Sequence, residues 1–521
     1  MIKQVTLVLD PESAADREKI IKLAAKAAGI SSDNISEWRI CRRSIDARHR
    51  DIKVNLNILL APAGEKLMPE FSPFRPLNVT RSREVIIIGA GPAGLFAALR
   101  LIELGLKPVI IERGRNVSAR KRDIANISRK KIIDPDSNYC FGEGGAGAYS
   151  DGKLYTRSHK RGNNLRVLEL LCHHGADRSI LYDSHPHIGS DKLPEIILQI
   201  RKSIIDAGGV FLFETKVTDL IVSNNRIKGV ITHDNRKFLS PYIILAAGHS
   251  ARDIYTVLKK RNIELEFKPF AMGVRVEHPQ EFINRIQYHN SPSVKYLPAA
   301  SYGLAKQVEG RGVYSFCMCP GGFVIPSATS SEEVVVNGMS PSRRNSPFAN
   351  AGIVVEVRAE DIKSWFSGGE LAGIDFQRET EQKAFKSAGR GVMAPAQRLA
   401  DFVAGVFSTT LPAVSYFPGV VSSPLHEWLP NFIGKRLRDG FRLFGSAMKG
   451  FLTNDAVVIG VESRTSSPVR IIRNEDTMEH VRISGLYPCG EGAGYAGGIL
   501  SSAVDGMRAA EAIANKAEEK S

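Results

Sequence analysis

Four consecutive β-branched residues, Val85 to Ile88, run without interruption into Gly89-Ala-Gly91-Pro-Ala93-Gly94. A run of this kind reads as a fully buried parallel strand. An alanine-rich apolar helix follows and ends near Gly105. A second buried strand, Val109 to Ile111, then carries Glu112 at its carboxyl end. Gly89 permits the tight turn, Gly91 lets backbone approach a pyrophosphate, and Gly94 lets helix and strand pack closely. The helix N-terminus offers unpaired N–H groups and a positive dipole end to phosphates. Glu112 falls about 20 residues past the first glycine, where a carboxylate bonds a ribose 2′-hydroxyl.

The glycine pattern alone is common. Here strand, turn, helix, second strand and terminal acid fall in order within about 30 residues, which is the context the pattern requires. The competing reading is a doubly wound domain that holds no nucleotide. An acid at position 112 favours an unphosphorylated adenosine ribose, hence FAD or NAD over NADP. The adjacent Arg113 pulls the other way.

At 521 residues the chain is long enough for two or three domains with their own cores. Hydrophobic content of 43% and charged content of 24% are those of an ordinary globular protein. The opening MIKQVTLVLDPESA lacks a basic-then-apolar leader, and no uncharged apolar run approaches a membrane span. Six scattered cysteines argue against a disulfide framework and for a reducing, cytoplasmic setting. The net charge of +15 would attract nucleic acid, acidic substrates or an anionic surface, or would serve solubility alone.

In order, residues 1–60 read as β-α-β-β. Lys3 to Leu9 alternates like a strand, and Pro11 and Ser13 open a helix that Gly29 ends. Strands Ile35 to Cys41 and Ile52 to Leu60 flank the basic segment Arg42 to Arg50. That segment is either a phosphate contact or a solvated turn; the turn is favoured because no aromatic residues interleave. Ala61 to Pro76 holds four prolines and reads as a linker. The expected domains are a small N-terminal α+β unit with linker (1–80), a dinucleotide-binding unit (81–250), an inserted substrate or cap unit (251–480), and a closing part of the dinucleotide unit (481–521).

Five glycines between 142 and 152 cannot build a helix or strand interior. They suit a loop that must come close to something flat or anionic; a plain flexible linker would rarely carry Tyr149, Asp151, Lys153 and Leu154. An amphipathic helix, Leu193 to Ala207, precedes strands at Val210 to Phe213, Lys216 to Val222 and Ile227 to Thr232, read as one meander. Tyr242 to Leu245 is a further buried strand ending in Ala247-Gly248, small enough to lie flush against a nucleotide. Residues 251–480 lose the βαβ rhythm, as an inserted α+β unit would. Within them, Phe432 to Phe444 is a basic amphipathic helix whose apolar side reads as core. Near the end, Gly490-Glu491 and Gly497-Gly498 lead into a last helix from Ile499, closing the first unit with a carboxylate and another helix N-terminus.

The segments GAGPAGLFAALRL, FGEGGAGAYSDGKL, FAMGVRVEHPQ, FCMCPGG with VNGMS, ESRTSSPVRI and GLYPCGEGAGYAGGI together resemble two-domain FAD flavoproteins. The nearest resemblance is to the FAD-dependent (NAD/FAD-utilising) dehydrogenase family, and it extends over residues 85 to about 510; the N-terminal RRSIDAR fits it too. The fold class implied is α/β: a Rossmann-type FAD-binding domain with an inserted α+β domain and a small N-terminal βαββ domain. By this resemblance Gly89, Gly91, Ala93 and Gly94 would carry the pyrophosphate of a non-covalent FAD, with Glu112 and Arg113 at the adenosine ribose. Val217 would meet adenine through its backbone, and Ala247 and Gly248 would close over the dinucleotide. Gly490 and Glu491 match a late motif that is usually Gly-Asp. Gly144, Gly145, Ala146, Gly147, Ser150, Asp151 and Lys153, with Gly497, Gly498 and Ile499, would approach the isoalloxazine. Arg275, Glu277, His278 and Arg464 would be substrate or flavin contacts.

The reaction expected is flavin-mediated hydride or electron transfer on a small-molecule substrate, with NADH or NADPH as a transient donor. Cys317 and Cys319, two apart in a strand, would share a face and could carry redox chemistry; packing is the favoured alternative. As half of a metal site they lack a companion pair, so no metal is expected. His249, beyond the Ala-Gly edge, is an acid or base candidate. Two other readings stay open: an FAD-using enzyme acting on RNA, supported by the charge and the Arg42–Arg50 cluster, and a flavin-bound sensor without turnover.

Overall fold

The computed structural model describes residues 1–155 and 162–519. Five parallel strands form the first large sheet, in the spatial order Leu486–Pro488, Ile243–Leu245, Glu84–Ile88, Lys107–Ile111, Val210–Leu212. The central strand, with its β-branched run, is buried from Val85 to Ile88, as expected where helices cover both faces of a sheet. The helix Pro92–Glu103 springs from it and packs against the last helix, Ile499–Glu518. Their backbones come so close that a Cβ at Gly506 would collide with the Ala93 carbonyl. The first and final stretches of the dinucleotide-binding region therefore share one core.

Val210–Leu212 is the outer strand of this parallel sheet, beside Lys107–Ile111, and not part of the expected meander. The meander consists of Val217–Ser223, Arg226–Thr232 and the short Lys237–Leu239. Gly208 and Gly209 turn the helix Leu193–Asp206 back onto the sheet edge, which gives this short run a βα-type crossover.

The second large sheet has seven strands, in the order Ala305–Val308, Arg311–Cys319, Phe348–Val357, Phe270–Pro279, Val457–Glu462, Ala394–Arg398, Val420–Ser422. All neighbours are antiparallel except the last pair. Phe270–Pro279 lies at its centre and is buried almost throughout. The helix Asn431–Ala447 lays Ile433, Leu437, Phe441 and Phe444 onto this core and turns its charges outward. A two-stranded ribbon, Leu265–Phe267 with Val469–Ile471, lies where the chain enters and leaves this region.

The N-terminal sheet has the order Lys3–Leu9, Lys53–Pro62, Ile35–Asp46. Two expectations change here. The helix breaks at Asp16, whose carboxylate caps Glu18 and Lys19 and separates Pro11–Ala15 from Arg17–Ala28. The basic segment is not all turn: a bulge between Ile40 and Arg42 carries the strand on to Asp46, which pairs with Lys53. Only Ala47 to Ile52 turn. Among the described residues, no helix is long and apolar enough to cross a membrane.

Candidate functional site

The turn between Ile88 and Pro92 is built by its glycines. Gly89 sits at φ +103°, and a Cβ there would strike the Ala246 carbonyl. At Gly94 a Cβ would strike the Gly89 carbonyl and press Ile87 at 3.1 Å. Gly94 thus holds helix to strand without lining the cavity above the turn. Gly91 caps the helix Pro92–Glu103 with no side chain of its own, so its first amides stay open to that cavity.

Glu112 is buried, and three backbone N–H groups donate to its carboxylate: Ala90 at 2.8 Å, Gly114 at 2.9 Å and Gly142 at 3.0 Å. It thereby ties the fingerprint turn to the glycine-rich loop. A carboxylate has about four acceptor positions, so one remains for a ribose hydroxyl. Arg113 is ion-paired with Asp253 and lies over the Phe141 ring at 4.4 Å, so its charge is already shared.

A cavity of about 370 Å³ runs from this turn across to the second sheet. Gly89, Gly91, Ala93, Glu112, Arg113, Gly145, Ala146, Gly147, Ser150, Asp151, Lys153 and Val217 line it, as do Ala247, Gly248, Gly490, Glu491, Gly497, Gly498 and Ile499. Gly144 does not: a Cβ there would meet Ile197, and its amide bonds the Ala90 carbonyl at 2.8 Å, so it braces the loop from behind. Gly248, Gly497 and Gly498 face space where a side chain would meet no atom within 4 Å. These bare backbone faces, with the open amides of the fingerprint helix, fit a flat dinucleotide. FAD is a match for this lining.

The other end of the cavity is walled by Phe316, Cys317, Cys319, Asn337 and Gly338 from the second sheet region. Phe316, Asn337 and Gly338 carried no sequence-based role, although FCMC and VNGMS marked their segments. Cys317 and Cys319 do line the cavity together, but not through strand alternation. The pairing register slips between Phe316 and Cys319, and Cys317 takes φ +42°. That bulge lets the adjacent Phe316 and Cys317 line the cavity along with Cys319, which strict alternation would not allow. The Cys319 thiol donates to the Cys317 carbonyl at 3.2 Å. Cys317 is exposed on its cavity side, yet the protein packed around its thiol pushes it up to about 12, with Lys153 only partly opposing this; the buried Cys319 is raised by desolvation too.

Lys153 reaches the Met318 carbonyl and forms no ion pair with a described residue, so an ammonium faces the cavity beside the two thiols. Asp151 pairs with Arg344 at 2.6 Å. Burial alone would raise Asp151, but Arg344 and Lys153 outweigh it and hold the carboxyl below its ordinary value. His249 places Nδ1 3.1 Å from Glu491 Oε2 and Nε2 3.1 Å from the Arg464 carbonyl. Both partners are acceptors: a neutral ring serves one bond at a time, an imidazolium serves both.

Arg464 also lines the cavity and is anchored behind it. Its guanidinium pairs with Glu333 at 2.7 Å and Glu381 at 2.9 Å, and Arg252 joins the same two carboxylates at 3.3 and 2.8 Å. Arg275 stands one layer back, paired with Glu462 at 2.7 Å and bonded to the Cys317 carbonyl at 3.2 Å. Glu277 and His278 lie away from the cavity. Glu277 accepts from Ser415, and His278 Nε2 bonds the Phe451 carbonyl at 2.8 Å. Both are drawn to other partners along this central strand, and neither reaches the cavity end that Arg275 supports.

Comparison with known proteins agrees with this geometry. A model for "FAD-dependent protein, C-terminal domain-like" matches residues 269–465, and one for "FAD binding domain" matches residues 82–127. Residues 1–61 match a domain of unknown function. A protein of Clostridium beijerinckii, described as an uncharacterized protein, is 39% identical over 534 aligned positions, covering 99% of this chain and 98% of its own. A thiamine thiazole synthase of Aeropyrum pernix is 26% identical over 183 positions, which is 32% of this chain and 55% of that one. Among solved structures, glycine oxidase from Bacillus cereus covers 84% of this chain and 96% of its own at 14% identity and a TM-score of 0.31. CtdE in complex with FAD covers 83% of this chain and 84% of its own, at 12% identity and a TM-score of 0.32. Likenesses as loose as these last two carry no argument about chemistry.

Proposed function

The chain belongs to a family of FAD-dependent proteins, and from that premise we propose that it is a flavin-dependent oxidoreductase acting on a small molecule. FAD, when bound, supplies the hydride or electron transfer; the protein's part is to hold, orient and exclude. The supporting observation is the cavity itself, which begins at the fingerprint turn and ends against side chains of the second sheet region. A dinucleotide seated on Gly89, Gly91 and Glu112 leaves Phe316, Cys317, Asn337 and Lys153 to receive a substrate. In this reading Lys153 draws in a substrate with negative or carbonyl character, since no described carboxylate forms an ion pair with it. The Asn337 amide supplies orientation, and Phe316 with the two protonated thiols supplies a dry wall. His249 and Glu491 brace the loop that carries the late glycines. The electron donor proposed is NADH or NADPH, visiting transiently, because one dinucleotide fingerprint is taken by FAD.

The test is a visible absorption spectrum of the purified protein, followed anaerobically as NADH and then NADPH is added. Flavin bands that bleach with one donor support the reading. A protein that carries no flavin and takes up none when FAD is added overturns it. Bands that persist with both donors would replace the nicotinamide with another donor, or turnover with sensing.

A further inference from the structure

A second and larger cleft, of about 1120 Å³, shares no lining residue with the flavin cavity. One wall is the N-terminal hairpin, through Asp46, Arg48, Arg50 and Asn55. The other comes from the second sheet region: Arg285 and Gln287 on the helix Gln280–Gln287, then His289 and Asn290, and Lys449. His289 Nε2 meets the Ala47 carbonyl at 2.9 Å and joins the two walls. Ile45, Ile286, Leu304 and Met448 give the cleft an apolar floor.

The charge of this cleft is lopsided. Asp46 is the one carboxylate among its lining residues, and Arg48 already occupies it through two bonds, at 2.9 and 2.6 Å. Arg50, Arg285 and Lys449 form no ion pair with any described residue. Three uncompensated cations facing one concave space raise the local concentration of anions. Arginine matches phosphate oxygens with paired N–H donors, while Asn55, Gln287 and Asn290 offer amides suited to base edges. The concave shape is wrong for a flat lipid surface. A cleft of this volume can take a short run of one strand.

We infer that this cleft is a binding site for the phosphates of a nucleotide, used for single-stranded RNA laid between the N-terminal hairpin and the second sheet region. The inference does not depend on the flavin chemistry. It also accounts for the N-terminal unit, because without the hairpin the cleft would have one wall.

The test uses the full-length, flavin-loaded protein and a fluorescently labelled single-stranded RNA of mixed sequence, about 12 nucleotides long, read by anisotropy. Over roughly 50 to 300 mM NaCl the log–log slope of affinity should be about −2, the value expected when three cations meet a single strand. The double variant Arg50→Glu/Lys449→Glu should weaken binding at least about tenfold while leaving the flavin spectrum unchanged. Arg285→Glu, on the wall from the second sheet region, should do the same independently. Displacement by ATP at concentrations comparable to those of the RNA would assign the site to free nucleotides; failure of ATP to compete would assign it to the strand. The inference falls if neither RNA nor ATP binds at the lowest salt, or if both variants bind as tightly as the parent.

Discussion

Arg464 grips Glu381 with two bonds, Nη2 to Oε2 at 2.9 Å and Nε to Oε1 at 3.1 Å, while the same arginine forms part of the flavin cavity wall. Glu381 is fully buried, and Arg252, from the helix after the Ala-Gly edge, holds it from the other side. Burial alone would raise this carboxyl, but the two guanidinium groups outweigh it and hold it below its ordinary value of 4.5. One carboxylate therefore fastens the parallel-sheet region to the second sheet at the cavity's edge.

Glu381→Gln removes that charge and leaves two buried arginines short of a partner. Breaking a buried pair from one side costs about 3 kcal/mol or more. Urea unfolding of the variant should show a loss of that size, and flavin retention should fall because Arg464 shifts. A depressed carboxyl contributes stability that is present above its unfolded value and lost as pH falls through the folded one. The parent should therefore lose this contribution in acid below about pH 4.5, and the variant should not. A loss under about 1 kcal/mol at neutral pH would show that the pair is not what joins the two regions.

Gly94→Ala tests the fingerprint turn without touching the cavity surface. The added methyl would drive into the Gly89 carbonyl, and the turn beneath the pyrophosphate must move. Flavin affinity, measured by quenching of FAD fluorescence, should drop at least about tenfold, or roughly 1.4 kcal/mol. Gly497→Ala, where a Cβ meets nothing within 4 Å, should leave the fold intact and lower affinity only if FAD lies on that face. Equal affinity in Gly94→Ala and parent would remove the turn from the binding site.

Glu277 gives a pH signature of opposite sign. Burial pushes its carboxyl up to about 7, against the pull of the two Ser415 bonds. A raised carboxyl favours the folded state below its unfolded value, and that advantage fades as pH climbs through the folded one. The folded protein should thus lose roughly 3 kcal/mol between about pH 4.5 and 7 from this one group. Glu277→Gln should flatten that part of the profile and raise the melting temperature at pH 8 relative to the parent. Parallel profiles for the two proteins would show that Glu277 is ionised throughout.

The fingerprint was legible because its logic is local: strand, turn, helix and acid are adjacent in sequence, and each glycine has a steric reason that a single turn supplies. The same holds for Ala247-Gly248 and the late glycines, which follow strands of one sheet. What the sequence hid was long-range. Phe316 reaches the cavity from Arg311–Cys319, second from the edge of the seven-stranded sheet, and Asn337 and Gly338 reach it from Val336–Met339, a strand of a separate two-stranded ribbon with Phe323–Pro326. Val210–Leu212 joined the parallel sheet because a crossover helix, not strand propensity, decided its neighbour. The basic segment was divided wrongly by one bulge after Ile40, a feature with no reliable residue signature. Glu277 and His278 came into the expected site on resemblance, and the structure gives them Ser415 and Phe451 as partners instead.

The two cavity thiols supply the last prediction. The thiolate, not the thiol, is the nucleophile, and the protein packed around the sulfur has pushed Cys317 up to about 12. Cys41 and Cys317 are both exposed, so at pH 8 the flavin-free protein, treated with a limiting maleimide and digested, should be labelled at Cys317 at least about tenfold more slowly than at Cys41 because of protonation and not access. If both thiols stay protonated they serve as wall, so Cys317→Ser should keep the rate of flavin bleaching by the active donor within about threefold of the parent. Fast labelling of Cys317, together with loss of bleaching in the serine variant, would reverse that assignment. The bulge that lets Cys317 line the cavity beside Phe316 would then be there to present a reactive sulfur, and Lys153 beside it would be the cation that activates it.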